Sequence, residues 1–138
     1  MQETGEQIYL SDQDVLDCND MSAVYGCGGG VPYFVYGYAY TAGVALQQKY
    51  PYEARQRECR QAERGGAYYY SPTPPLFLQP SYDEDFILSV FDAIGPLTIS
   101  ISVNANLMSY RGGIFDDASC EGQLSHGIVS LFLITEIC

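Results

Sequence analysis

The feature that most constrains this chain is a pair of cysteines separated by a short turn-rich segment. Residues 10–18 read Leu-Ser-Asp-Gln-Asp-Val-Leu-Asp-Cys, and eight residues later the chain runs Gly-Cys-Gly-Gly-Gly over 26–30. Glycine runs let a backbone bend sharply and let a second backbone approach closely. A cysteine that ends a short amphipathic segment, followed by one that opens three glycines, therefore predicts a locally cross-linked chain whose backbone lines a surface.

Length and composition are compatible with a single buried core. The chain has 138 residues, of which 47% are apolar and 17% charged, and a chain of this size can bury most of its surface. Its formal charge of −11 excludes a nucleic-acid-binding role, which needs a basic face. The sequence has no run of 18 apolar residues, so we expect no membrane span.

The basic residues are concentrated in one segment. Five of the six lie between residues 49 and 64, where only three glutamates oppose them. The segment therefore carries a charge of about +2 and the rest of the chain about −13. We interpret it as a solvated loop whose arginines pair with acidic neighbours, not as a ligand site.

The cysteine content suggests an oxidising compartment, in which disulfides persist. The count is odd, with cysteines at 18, 27, 59, 120 and 138. The start Met-Gln-Glu-Thr-Gly-Glu is too acidic and polar for a signal peptide. We therefore expect the chain to be an internal piece of a longer precursor.

Three helices are predicted from caps and periodicity. Ser11 is a candidate N-cap for a helix over 12–18, with Asp14 serving its first turn. Residues 31–46 favour a buried helix that has Pro32 near its front, although their small and aromatic residues leave a strand open. A third helix is predicted over 82–94, with its acidic residues at the N-terminus.

Strands are predicted in the second half of the chain. Residues 97–103 alternate strictly between apolar and hydroxyl side chains, which is typical of a strand. Residues 127–137 form a continuous apolar strand candidate. The proline cluster at 72–75 is the one candidate boundary between lobes.

The motifs resemble those of the papain-like cysteine proteases. The resemblance lies in Leu-Ser-x-Gln-x-x-x-Asp-Cys followed by Gly-Cys-x-Gly-Gly, and three further blocks follow in the family's order. These are Tyr50-Pro-Tyr-Glu53 with Cys59, Tyr110-Arg-Gly-Gly-Ile-Phe115, and Cys120 ahead of Ser125-His126-Gly127. The resemblance implies an α+β chain with a partial papain-like fold. We expect a helical left-lobe part over about 3–70, an antiparallel β-barrel right-lobe part over about 71–129, and a divergent tail at 130–138.

The resemblance also implies a set of site residues. His126, the only histidine, matches the catalytic base, and Cys18 and Cys59 match a disulfide of the family. Gly29 and Gly30 match backbone contacts in the cleft. The pocket for the second side chain on the acyl side corresponds to Val31, Pro32, Ser100, Ser125 and Gly127. We expect a peptide or protein substrate, no cofactor or metal, and a lysosomal, vacuolar or extracellular location for the parent.

Two blocks of the family pattern do not occur in the sequence. The family's nucleophile lies in a Cys-Gly-x-Cys-Trp block and its orienting amide in an Asn-Ser-Trp block, and the chain has no tryptophan. We therefore expect a truncated segment that is inactive alone and marginally stable or oligomeric. Other readings stay open: a pseudo-protease that binds peptides or proteins or serves as a structural subunit, a second chain that supplies the missing lobe, and a gene-model artefact. The pairing of Cys27, Cys120 and Cys138 is also open.

Overall fold

The computed structural model describes residues 7–65, 68–78, 83–117 and 122–130. The chain divides into two compact units, residues 1–77 and 78–138. The first contains α1 (Asp12–Cys18), a 3₁₀ turn (Gly26–Gly28), α2 (Pro32–Thr41), β1 (Val44–Ala45), α3 (Gln61–Arg64) and β2 (Tyr68–Tyr69). The second contains α4 (Glu84–Ile94), β3 (Leu97–Ile101), α5 (Ala105–Ser109) and β4 (His126–Ser130). Both strand pairs are antiparallel, so the predicted α+β class is confirmed.

Helix α1 begins and ends at the residues predicted for it. The Ser11 hydroxyl accepts a hydrogen bond from Asp14 N at 2.9 Å, which satisfies one of the amides that a helix start leaves open. At the other end, Cys18 is joined to Cys59 in a disulfide, the pairing that the resemblance implies. Residue 18 is therefore tied to a position 41 residues along the chain.

The core of the first unit mixes apolar and charged side chains. Cys18, Tyr38, Val44, Ala45 and Tyr50 form its apolar cluster. Arg64 is also buried, with 5% of its surface exposed, so the prediction of a solvated loop is wrong for this arginine. Its charge is compensated by Asp14, whose Oδ1 lies 2.7 Å from the guanidinium Nε, because an unpaired buried charge would be costly.

The three other arginines of the basic segment pair with acidic neighbours as predicted. Glu53 forms ion pairs with Arg55, Arg57 and Arg60. Glu63 also pairs with Arg60, at 3.0 Å. The carboxylate of Glu53 therefore links the arginines of this loop into one network.

Helix α2 confirms the predicted helix and excludes the strand. Pro32 occupies its first turn, where the missing amide hydrogen costs nothing. The expectation of a fully buried helix is wrong, because only Gly37 and Tyr38 are buried. The helix is shorter than the predicted range of 31–46: it ends at Thr41, Gly43 adopts φ +70°, and the chain enters β1. Three tyrosines of the helix are exposed, namely Tyr33, Tyr36 and Tyr40.

The second unit is formed around α4 and the β3–β4 ladder. The Asp83 carboxylate accepts from Phe86 N at 2.8 Å and caps α4, which confirms the acidic start of that helix. The strand predicted over 97–103 ends at Ile101. The strand predicted over 127–137 begins one residue earlier, and its part beyond Ser130 lies outside the described residues.

Candidate active site

The glycine run forms one side of a short antiparallel loop. Tyr25 N donates to Gly29 O at 2.9 Å, and Val31 N donates to Ala23 O at 3.0 Å. Gly30 lies between these bonds and is bridged to Val24. A residue in such a non-hydrogen-bonded pair directs its own N–H and C=O away from its partner. The backbone of Gly30 therefore presents one donor and one acceptor on the outer edge of the loop.

Glycine is required at the bend that leads to this edge. Gly29 has φ +102° and ψ −170°, a backbone region that is essentially restricted to glycine. No heavy atom lies within 4 Å of the position that a Cβ would take there. The need for glycine at this position is therefore conformational and not steric.

Two further candidate residues continue the edge into α2. Val31 is extended, with φ −101° and ψ 122°, and its side chain is 42% exposed. Pro32 begins the helix. Residues 29–32 thus form one contiguous stretch that is mostly exposed.

The candidate base opens strand β4 in the second unit. His126 lies opposite Ile101, and Gly127 lies opposite Ser100. Because successive side chains alternate across a sheet, His126 and Ile101 share one face while Ser100 and Gly127 share the other. Ile101 is buried and His126 is exposed. The imidazole therefore stands at the exposed end of the more buried face.

Ser125 has a structural role that the sequence did not reveal. Its amide donates to Ile101 O at 2.9 Å, and its hydroxyl accepts from Val103 N at 3.2 Å. These bonds close the end of the ladder next to His126. The hydroxyl can still donate a hydrogen bond, because one hydroxyl offers both a donor and acceptors.

The predicted site residues therefore fall into two groups. Gly29 to Pro32 lie together in the first unit, and Ser100 lies with 125–127 in the second. Among the cysteines that the structure describes, Cys27 is free and exposed. Cys120 and Cys138, whose pairing was left open, lie outside the described residues.

Two other features are absent from the part of the chain that the structure describes. Within it, no three or more His, Cys, Asp or Glu side chains are grouped so that they could hold a metal ion. None of its helices has the length and apolar character that crossing a membrane requires.

Comparison with known proteins gives consistent matches along the chain. A family model described as "Papain family cysteine protease" matches residues 1–131. Mouse cathepsin S is 30% identical over 133 residues, which are 91% of this chain and 37% of that protein. Caricain from Carica papaya is 30% identical over 131 residues, 93% of this chain and 35% of that protein. The chain thus spans little more than a third of these relatives.

Solved structures of cysteine proteases also match most of this chain but only part of their own length. A Carica candamarcensis cysteine protease in complex with E-64 has a TM-score of 0.78 and 33% identity, and the match covers 93% of this chain and 58% of that one. The digestive procathepsin L 3 of Tenebrio molitor has a TM-score of 0.76 and 28% identity, with 92% and 41% covered. The described helices and antiparallel ladders are therefore those of a partial papain-like fold.

Proposed function

This chain belongs to the papain family of cysteine proteases, and from that premise we propose that it supplies the base and one backbone edge of the cleft of a peptide-cleaving enzyme. His126 is the base in this proposal, and Gly29 and Gly30 form the edge. In the intact parent, a cysteine thiolate attacks the peptide carbonyl and the imidazolium returns a proton to the leaving amine. We assign residues 3–70 and 71–129 to the two lobes, and the division of the chain near residue 77 supports this assignment.

The observation that carries the proposal is the outward-facing backbone of Gly30. An extended peptide can add itself to such an edge by exchanging main-chain hydrogen bonds, which gives affinity without regard to side chains. The two bonds that flank Gly30 hold the edge in an extended shape. The cost of ordering the edge is therefore already met before a peptide binds.

The pocket residues would supply the specificity. In our proposal the substrate's second side chain on the acyl side is selected by Val31 and Pro32 in the first unit and by Ser100, Ser125 and Gly127 in the second. The exposure of Val31 supports its role. The pairing of Ser100 with Gly127 leaves a small and polar patch, which supports a role in shaping a pocket.

We propose that this chain by itself does not hydrolyse peptides. The sequence contains neither the Cys-Gly-x-Cys-Trp nor the Asn-Ser-Trp block. Among the cysteines that the structure describes, Cys27 has a free thiol, and it lies in the first unit, which also carries the glycine edge.

A second candidate function is a non-catalytic peptide-binding subunit. The edge at Gly30 favours this function because peptide binding there needs no nucleophile. We place the parent in a lysosomal, vacuolar or extracellular compartment, and the disulfide supports this.

Two measurements on the full chain test the proposal. The first is labelling with an E-64-type epoxide at about pH 5.5, followed by mass mapping, because only an activated thiolate reacts rapidly with such reagents. We expect no stoichiometric adduct. Modification of one cysteine that disappears in His126→Ala would overturn the inactivity of the chain.

The second measurement tests the edge. The isotope-labelled chain is titrated with acetyl-Ala-Leu-Ala-amide and with the same peptide N-methylated at leucine, while the amide resonance of Gly30 is followed. We expect a saturable shift with the first peptide and none with the second, because methylation removes the donor that pairs with the edge. Equal shifts with both peptides, or no shift with either, would contradict the proposed edge.

A further inference from the structure

A glutamine from the arginine-rich loop contacts the glycine turn from outside. Gln56 Oε1 accepts a hydrogen bond from Cys27 N at 3.4 Å. A Cβ built on Gly26 would lie 2.2 Å from the amide carbon of Gln56. The side chain of Gln56 therefore lies directly against the backbone of this turn, in space that opens only because residue 26 is glycine.

The hydrogen bond that Gln56 accepts adds to those formed within the turn. Gly28 N donates to Tyr25 O at 2.9 Å, and Gly29 N donates to Gly26 O at 3.1 Å. The backbone amide of Cys27 instead donates its hydrogen bond to the side chain of Gln56. Gln56 thus satisfies a donor in the middle of the turn that leads to the peptide-binding edge.

The loop that carries Gln56 is fixed on both sides by α1. Gln13 Oε1 accepts from Glu53 N, and Gln13 Nε2 donates to Arg55 O, both at 2.8 Å. On the other side, Asp17 Oδ1 accepts from Arg57 N at 2.8 Å. These bonds hold the main chain before and after residue 56. The position of Gln56 is therefore set by buried or partly buried groups, although its own side chain is exposed.

We propose that Gln56 is a positioning residue for the glycine edge. Its amide connects the loop held by α1 to the turn at 26–28, and this turn fixes the path of Gly29 and Gly30. Without the side-chain amide of Gln56, the turn samples more conformations. Peptide binding must then order the turn, which weakens the affinity. The peptide part of this inference rests on the proposed function, whereas the ordering of the turn does not.

The test compares three variants of the full chain. Gln56→Met keeps the length of the side chain and removes the acceptor, Gln56→Glu restores an acceptor, and Glu58→Met is a matched control at an exposed position of the same loop. Site-resolved amide exchange is measured at residues 26–30, with the melting temperature as a check on the fold. For Gln56→Met we expect exchange at Cys27 about 2- to 10-fold faster, which is the range expected for one lost hydrogen bond.

The same variants are titrated with the acetyl-Ala-Leu-Ala-amide probe. We expect Gln56→Met to bind it about 2- to 10-fold more weakly, while Gln56→Glu and Glu58→Met stay near the parent. Unchanged exchange at Cys27, or faster exchange with unchanged affinity, would overturn the positioning role. If the parent chain binds no peptide, the proposed function fails, and the exchange data still decide whether Gln56 orders the turn.

Discussion

Asp14 offers the sharpest test of what holds the first unit together. The residue is completely buried, and its carboxylate accepts from Ala45 N at 2.7 Å and from the Tyr38 hydroxyl at 3.2 Å. Its Oδ1 lies 2.7 Å from Arg64 Nε. One carboxylate therefore satisfies groups from α2, β1 and α3 at once.

Removing this charge breaks the buried ion pair between Asp14 and Arg64 from one side. We expect Asp14→Asn to lower the free energy of unfolding by about 3–5 kcal/mol, the usual cost of breaking a buried ion pair from one side. The double variant Asp14→Asn/Arg64→Met removes both charges and keeps a side-chain oxygen that can accept from the Ala45 amide. The double variant should lose much less free energy of unfolding than the single variant, since neither charge of the pair is then buried.

The assay is urea unfolding followed by the near-ultraviolet circular dichroism of the tyrosines. Asp12→Asn is the matched control, because Asp12 is an exposed carboxylate in the same first turn. Removing the Asp12 charge should lower the free energy of unfolding by only about 0.3–1 kcal/mol, the size of its interaction with the helix dipole. Equal losses in Asp14→Asn and Asp12→Asn would refute the ion pair as a structural element, and so would a double variant as unstable as the single one.

Three further predictions address other parts of the first unit. Replacing Cys18 and Cys59 by serine should lower the free energy of unfolding by about 4 kcal/mol, the loop-closure value for a separation of 41 residues, measured by the shift in the urea midpoint. Burial and a neighbouring carboxylate raise the pKa of Tyr38 well above its ordinary value of 10.0. Its contribution to stability is thus complete below about pH 10 and is lost as the pH rises further; Tyr38→Phe should flatten that alkaline decline in a pH series of melting temperatures. Gly29→Ala should cost about 1–3 kcal/mol, because alanine disfavours this backbone region, whereas Gly28→Ala, with no positive φ to strain, should cost clearly less in the same unfolding assay; similar losses would contradict the conformational argument.

Elements set by neighbouring residues could be predicted from the sequence. The cap at Ser11 and the cap at Asp83 both depend on a side chain three residues from the amide that it binds, so their signals are local. The alternation over 97–103 likewise predicted β3 because side-chain period alone defines a half-buried strand. Helix α5 was missed: its cap, Asn104, binds Leu107 N, but the five-residue helix that follows is too short to show a period.

Features that depend on distant residues could not be predicted in this way. Arg64 lies 50 residues from Asp14, and nothing in the sequence around either residue indicates the other. A charge-rich segment favours a solvated loop, so the burial of one of its arginines follows only from the folded chain. The contact of Gln56 with the glycine turn spans 29 residues and escaped the sequence for the same reason.

The two groups of candidate site residues also differ in what orders them. The edge at Gly30 belongs to a unit that is stabilised by a disulfide, a buried ion pair and the loop held by α1. His126 stands at the end of a ladder that, within the described residues, has two strands, and a two-stranded ladder is marginal unless it packs against other elements. The family motif at 125–127 therefore predicts which residue is the base, whereas the orientation of the His126 side chain depends on packing that no local motif encodes. The backbone path of residues 29–31, by contrast, depends largely on bonds within residues 23–31, so a short glycine pattern is enough to indicate a turn there.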